Sequence, residues 1–239
     1  MSSLVAWMDQ YFYSAYSDNW DDELFREKIL SHLSRNFEIL DLGAGAGIVS
    51  QMNFKGIAFT VFGIDPDERV LVNPYLDEGR VAFGEKVPYA DEQFDLIFAD
   101  NVLEHLPMPE EVFEEVYRLL RPGGVFLAKT PNKCHYMPLI ARLTPHRFHS
   151  WVNKWRGREG VDVFPTRYQA NTISRIRQLA VSAGLNVSQI DFIEGRPEYM
   201  RMSFVTYIPG LLYERLVNSL AFLYRFRILL IIELRKPVG

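Results

Sequence analysis

Cysteine is almost absent from this 239-residue chain: Cys134 stands alone, which excludes an internal disulfide and any cysteine-built metal cluster. That usage suits the reducing cytoplasm. Long apolar runs are missing as well. The densest, residues 216–232, is broken by Arg225 and Arg227 and falls short of the ~20 uncharged residues of a membrane span. Residues 1–18 have neither the basic start nor the apolar run of a secretory signal. Repeats and low-complexity tracts are lacking. What remains, 48% hydrophobic and 14% aromatic residues, is enough for one substantial core and a single α/β domain.

The net charge of −4 conceals an uneven distribution. Residues 1–120 hold 8 Lys/Arg against 23 Asp/Glu, a balance of −15; residues 121–239 hold 18 against 7, a balance of +11. Such a split points to an anionic partner facing the C-terminal part, or to solvated faces of opposite sign that separate along the chain.

The most informative stretch is Ile39 to Gly47. An apolar run ending in Asp41-Leu42 reads as a buried parallel strand. Gly43, Gly45 and Gly47 then alternate in a turn whose backbone can touch a ligand, and Ile48 is expected to open a helix. Any Cβ there would hold the ligand away from the backbone N–H groups. The G-x-G-x-G spacing behind an acidic residue differs from the G-x-G-x-x-G of dinucleotide-binding proteins. A second strand, 61–65, ends at Asp65, where a carboxylate can accept both hydroxyls of a ribose. A third, 80–85, ends at Glu85. The fourth, 94–100, leads into Asn101-Val102-Leu103-Glu104-His105-Leu106-Pro107. An amphipathic helix over 110–120 stops at Arg121-Pro122-Gly123-Gly124, and a fifth strand covers 125–130.

Together the glycine turn, Glu-His-Leu-Pro and Arg-Pro-Gly-Gly elements resemble the class I S-adenosylmethionine-dependent methyltransferases, in particular the type 11 group that includes the ubiquinone-biosynthesis O-methyltransferases. The resemblance covers residues 20–131. It implies an α/β Rossmann-like methyltransferase fold: a seven-stranded, mostly parallel sheet with an antiparallel last strand and helices on both faces. It also implies S-adenosyl-L-methionine as cofactor. Asp41, Gly43, Ala44, Gly45 and Gly47 then cradle the methionine end, and Asp65 and Pro66 hold the ribose. Glu85 falls near the adenine amine, and Asp100 and Asn101 border the cofactor at the strand ends.

The rest of the chain divides accordingly. Residues 1–36 form an N-terminal lid and helix, 37–131 the cofactor core, 132–171 an acceptor-side insertion and 172–239 the completion of the sheet. Within the first part, Tyr11, Phe12, Tyr13, Tyr16 and Trp20 are expected to fold over the cofactor or to pack on a sheet edge. A helix over 21–33 packs on the sheet through Phe25, Ile29 and Leu33, with Leu30 beside them. Further elements are a helix over 173–183 ended by Gly184, a strand over 187–193 and a final strand over 228–234. Between these strands a helix over 209–224 carries Leu212, Leu216, Leu220 and Leu223 on one stripe. Its plain reading is packing on the sheet or a second subunit; Arg215, Arg225 and Arg227 alongside also suit an anionic membrane surface.

Methyl transfer from a sulfonium requires mainly that a nucleophile be held in line, with water excluded. His105 is the candidate general base, since imidazole titrates near the working pH. Alternatively Glu104 and His105 order the turn before Pro107. A third option is a divalent cation, which Asn101 disfavours because the ubiquinone O-methyltransferases carry an acidic residue there, although Asp100 stands next to it. His135, in the stretch after the fifth strand, is the second catalytic candidate. His146 and His149 have a metal-pair spacing without a nearby carboxylate, so no metal is expected. Tyr136, Trp151, Trp155, Arg142, Arg147, Arg156 and Arg158 suit an acceptor pocket for a small molecule or glycan, including an anionic or lipid-linked one. The expected activity is O-methylation in the cytoplasm, with peripheral membrane contact open and no nucleic-acid partner. The rivals are methylation of RNA or another nucleic acid by the basic, aromatic segment, and a non-catalytic membrane-associated protein on the same fold.

Overall fold

Along most strands of the chain two sets of apolar side chains alternate, and both are buried, as a sheet covered on each face demands. The computed structural model describes residues 3–138 and 165–238. Within them seven strands form one sheet in the order β3-β2-β1-β4-β5-β7-β6. β1 spans Glu38–Leu42, β2 Thr60–Asp65, β3 Glu78–Val81, β4 Phe94–Asp100, β5 Leu120–Pro131, β6 Asn186–Ile193 and β7 Leu229–Arg235. Neighbours pair parallel throughout, except that β7 runs antiparallel to both β5 and β6. This is the Rossmann-like methyltransferase sheet with its last strand inserted antiparallel.

Leu40, Leu42, Ile97, Phe126 and Ile232 face one side, where α3 (Pro109–Leu119) and α4 (Ile173–Ala183) cover them. Ile39, Val61, Leu96, Phe98 and Leu127 face the other, against Phe25 and Ile29 of α2 (Trp20–Leu30). Each such side chain contributes about 1.5–3 kcal/mol by leaving water. Punctuation follows sequence chemistry: Thr172 caps α4 by accepting from the Arg175 N–H, and Gly184, at φ 88°, ends it. The same period of two sends odd-numbered β5 residues toward α2, so Lys129 projects there while Thr130 projects toward the α3/α4 side.

Three expectations are corrected. No α-helix follows the glycine turn; the connection to β2 contains only a 3₁₀ turn, Ser50–Met52. Its buried anchors, Met52 and Phe54, are two residues apart, a spacing that shares one side in extended chain but not in an α-helix. The third strand begins at Glu78 and ends at Val81, so Glu85 lies in a turn beyond it. The aromatic N-terminal segment follows its packing alternative and lines neither of the cavities at the strand ends. α1 (Ser3–Phe12) and Tyr13 pack on α5 (Phe204–Ser219) through Val5, Met8 and Tyr207, and Trp20 packs on Ile228 and Leu229.

The third correction concerns α5 itself. It starts five residues before the expected position, at a capping box made by Ser203 and Thr206, and ends at Ser219. Its leucine stripe faces outward: Leu212 is 59% and Leu216 52% exposed, and Leu220 is exposed too. The buried face is Tyr207, Gly210, Glu214 and Val217, held by hydrogen bonds from Tyr207 Oη to Asp9 (2.9 Å) and from Tyr13 Oη to Glu214 (2.7 Å). On α2, likewise, Leu30 is exposed while Phe25 and Ile29 are buried.

Candidate active site

The carboxyl ends of β2, β1 and β4, adjacent in the sheet, end in or beside Asp65, Asp41 and Asp100. Two cavities open there. The smaller, about 210 Å³, is lined by Asp41, Gly43, Ala44, Gly45 and Gly47 with Asn73, Tyr75 and Asp100. The larger, about 400 Å³, is lined by Gly43, Asp65, Pro66, Glu85, Asp100, Asn101 and His105 together with apolar groups such as Ile64, Phe83 and Leu106. Gly43 and Asp100 belong to both. All ten residues expected to hold the cofactor, and His105, therefore line one or both cavities. His135 lines neither cavity.

The glycine turn is built by backbone conformations that only glycine adopts cheaply. Gly43, Gly45 and Gly47 have φ of 86°, 51° and 70°. A Cβ on Gly43 would overlap Val102, and one on Gly47 would overlap Asn73. Two side chains fix the turn from outside. Asp65 accepts from the Gly45 N–H (3.0 Å) and from the Asp67 N–H (2.8 Å). Asn73 donates to the carbonyls of Ala44 (3.0 Å) and Gly45 (3.2 Å). Asn73 does the bracing that an expected helix was to do, and nothing in its local sequence announces it.

Electrostatically the region is rich in carboxylates, with Arg167 on the wall of the larger cavity and Lys129 beneath Asp100. Burial, with Asp100 and Asp65 nearby, pushes the Asp41 carboxyl well above the usual range. Burial also raises Asp65, against the N–H groups of Asp67 and Gly45. Asp100 is pushed up to about 6, mainly by burial, although Lys129 pulls the other way. Lys129 is wholly buried and pairs with Asp100 (3.0 Å), Asp21 (2.9 Å) and Asp22, so it ties the first turn of α2 to the floor of the site. Burial alone would lower its pKa, but those three carboxylates raise it. A lysine within the apolar run of β5, on the α2 side, was a readable signal that the sequence analysis passed over.

Glu104 and His105 divide their roles. Glu104 is buried, its carboxyl raised to about 7 by desolvation, and accepts from Thr130 Oγ1 (2.9 Å), which in turn accepts from Asn171 (2.6 Å). Its carbonyl receives the N–H groups of Arg167 and Tyr168. Glu104 thus anchors the loop, and its neighbour His105 faces the cavity with Nδ1 3.4 Å from the Pro165 carbonyl. His135 is 1% exposed, beside Tyr136, Tyr199 and Tyr213, with its Nε2 3.9 Å from Glu194 and without a hydrogen bond. Desolvation lowers its pKa to about 3 and raises that of Glu194 to about 8. Among the described residues no group of His, Cys, Asp and Glu is placed to hold a metal ion. His146, His149, Trp151, Trp155, Arg142, Arg147, Arg156 and Arg158 lie outside the described residues.

Residues 40–128 match a family model described as a methyltransferase domain. A Mycolicibacterium smegmatis protein named as a probable S-adenosylmethionine-dependent methyltransferase is 33% identical over 129 residues, 51% of this chain and 48% of its own. A ubiquinone biosynthesis O-methyltransferase of Pseudomonas putida is 35% identical over 109 residues, covering 40% and 45%. The chain thus spans about half the length of the curated relatives it matches. Among solved structures, the [4+2]-cyclase SpnF superposes with a TM-score of 0.59 at 16% identity, over 91% of this chain and 82% of that one, a likeness of fold alone. The matched region is a methyltransferase domain of the class I, S-adenosylmethionine-dependent kind.

The residues present fit that cofactor. Three crowded carboxylates, each raised by burial, favour a ligand carrying an ammonium and a sulfonium. The glycine turn leaves bare backbone where a Cβ would intrude. Each oxygen of Asp65 accepts one N–H and keeps a lone pair for a ribose hydroxyl.

Proposed function

We propose that the chain transfers a methyl group to a hydroxyl of a small-molecule acceptor that enters beside His105. The observation that carries this reading is that the two cavities share Gly43 and Asp100 as lining, with His105 on the wall of the larger one. S-adenosylmethionine supplies an electrophilic methyl on a positively charged sulfur. The chain's own residues do the rest. The glycine turn, with Asp41 and Asp100, would hold the methionine end, Asp65 and Pro66 the ribose, and Glu85 with the apolar wall the adenine.

A His105 ring that keeps its proton on Nδ1, toward the Pro165 carbonyl, presents Nε2 as an acceptor for the proton of an attacking hydroxyl. Buried Glu104, hydrogen-bonded to Thr130, fixes the loop that carries the ring. Its other oxygen lies 3.9 Å from Nε2, close enough to stabilise the imidazolium that forms. The likeness to ubiquinone O-methyltransferases supports a hydroxyl as nucleophile, and the basic C-terminal half supports an acidic or lipid-linked acceptor.

Incubating the protein with methyl-labelled S-adenosylmethionine and a cell extract tests the reading, with products resolved by mass spectrometry. Label in a small, alkali-stable ether product is expected. Label confined to RNA or protein would sink the small-molecule reading, and absence of cofactor binding by calorimetry would sink the whole of it.

A further inference from the structure

We infer that the outer face of α5, with the neighbouring end of α1, is a docking surface for an anionic lipid bilayer. On α5, Val205, Pro209, Leu212 and Leu216 recur at i, i+4, i+7 and i+11, which aligns them on one side of the helix, and all four are exposed. An apolar stripe of three turns turned to water marks a surface that something covers. Three observations identify the occupant.

Aromatic residues of the interfacial type stand on the helix packed against α5. Trp7 and Tyr11 of α1 stack with ring centroids 5.4 Å apart and are 57% and 69% exposed. An apolar body with a polar tip suits the level of lipid headgroups. The fixed charge around the stripe is also of one sign. Arg215, more than half exposed although its guanidinium lies 3.4 Å from buried Glu214, flanks it on the helix, and Arg225 is exposed in the 3₁₀ turn that follows, beside exposed Phe222 and Tyr224. Finally, the carboxylates of these elements are withdrawn. Glu214 is buried beneath Tyr13, and Asp9 is held by Arg201 and Tyr207. A second copy docked by a two-fold axis would set Arg215 against a surface equally basic and without an exposed carboxylate on α5. Lipid phosphates meet the same arginines while acyl chains take up the stripe.

The placement gives this surface a use. Tyr213 of α5 lies 4.7 Å from Tyr136 and 5.4 Å from His135, just past the C-terminal end of β5. The helix that would meet the bilayer therefore borders the same end of the sheet as the cavities. The inference does not rest on methyl transfer, because vesicle binding is measured without cofactor or acceptor.

The test is sedimentation with vesicles of phosphatidylcholine alone and of phosphatidylcholine with phosphatidylglycerol, at low and at raised salt. Binding to the anionic vesicles is expected, at least tenfold weaker for the Leu212→Glu/Leu216→Glu double variant and weakened for Arg215→Glu/Arg225→Glu. The leucines are exposed, so unchanged melting temperature and cofactor affinity should accompany that loss; Arg215 also pairs with Glu214 (3.4 Å), so the arginine variant is compared below its own melting temperature. Wild-type protein that sediments with neither vesicle overturns the inference. So does binding that both variants retain, and so does a wild-type dimer in light scattering that the leucine variant abolishes.

Discussion

The two halves of the sheet are built on the same alternation of buried side chains, yet they use polar groups in opposite ways. Around β1, β2 and β4 the carboxylates sit at strand ends beside cavities, crowded together and pushed toward protonation. Around β6, β7 and α5 the carboxylates are spent internally: Glu214 on Tyr13, Glu194 on the Ile228 N–H, Glu233 on Lys28, His32 and Arg235. Asp65 and Asp100 have partners too, but with Asp41 they also line a cavity, whereas Glu214, Glu194 and Glu233 are enclosed by the groups they bind. Within the second half α5 turns its leucine stripe outward, the reverse of an ordinary amphipathic helix, while the apolar residues of β7 stay buried.

The largest effect is expected on turnover, so His105→Ala is the sharpest probe of the cofactor half. It should lower kcat by about 10²–10⁴-fold while leaving cofactor affinity within a few-fold. Intact turnover would reduce His105 to a wall of the cavity. Gly45→Val imposes a β-branched residue at φ 51° and should lower S-adenosylmethionine affinity by at least about 2–3 kcal/mol in calorimetry. Asp65→Ala should weaken the same binding by about 1–3 kcal/mol, since it orphans both the ribose hydroxyls and the Gly45 N–H. Asn73→Ala, which removes the two bonds bracing the turn, should cost about 1 kcal/mol in affinity.

Acid and base titration separates Glu104 from His135 in sign. The Glu104 carboxyl, raised to about 7 in the fold, binds its proton more tightly folded than unfolded. Its contribution is full at low pH and is lost as pH rises from the ordinary carboxylate range toward 7. His135, lowered to about 3, does the opposite: its contribution is full above the ordinary imidazole value and is lost as pH falls toward 3. Each slope is at most about 1.4 kcal/mol per pH unit. Denaturation of Glu104→Gln and His135→Phe across pH 4–8 should flatten the alkaline and the acid limb respectively; parallel curves for wild type and both variants would remove the distinction.

Most of the cofactor half was legible because its chemistry is local in sequence. The glycines, Asp41, Asp65, Asp100 and His105 all follow directly on apolar strands, and a strand end fixes where its next residue goes. Asn73 was not legible for the opposite reason, and Lys129, conspicuous in its apolar run, gave no sign of its partners. Asn73 acts on carbonyls 28 and 29 residues away, and Lys129 on carboxylates more than a hundred residues away in α2. The stripe of α5 was found, and of its three readings its exposure removes only packing on the sheet. Periodicity says that Leu212 and Leu216 share a face; it does not say whether that face or the one with Tyr207 and Glu214 meets the sheet, and here hydrogen bonds from α1 decide. Likewise Tyr13 and Trp20 advertise burial without naming their partners.

Lys129 has a consequence for how the molecule responds to its ligand. One ammonium, enclosed between β5 and α2, is shared among a carboxylate at the cavity and two on the N-terminal helix. A positively charged guest at Asp100 would compete for that carboxylate and leave the lysine leaning on Asp21 and Asp22 alone. Arrival of the guest would then be felt at residue 21 as a redistribution of charge, with no hinge needed to carry the message.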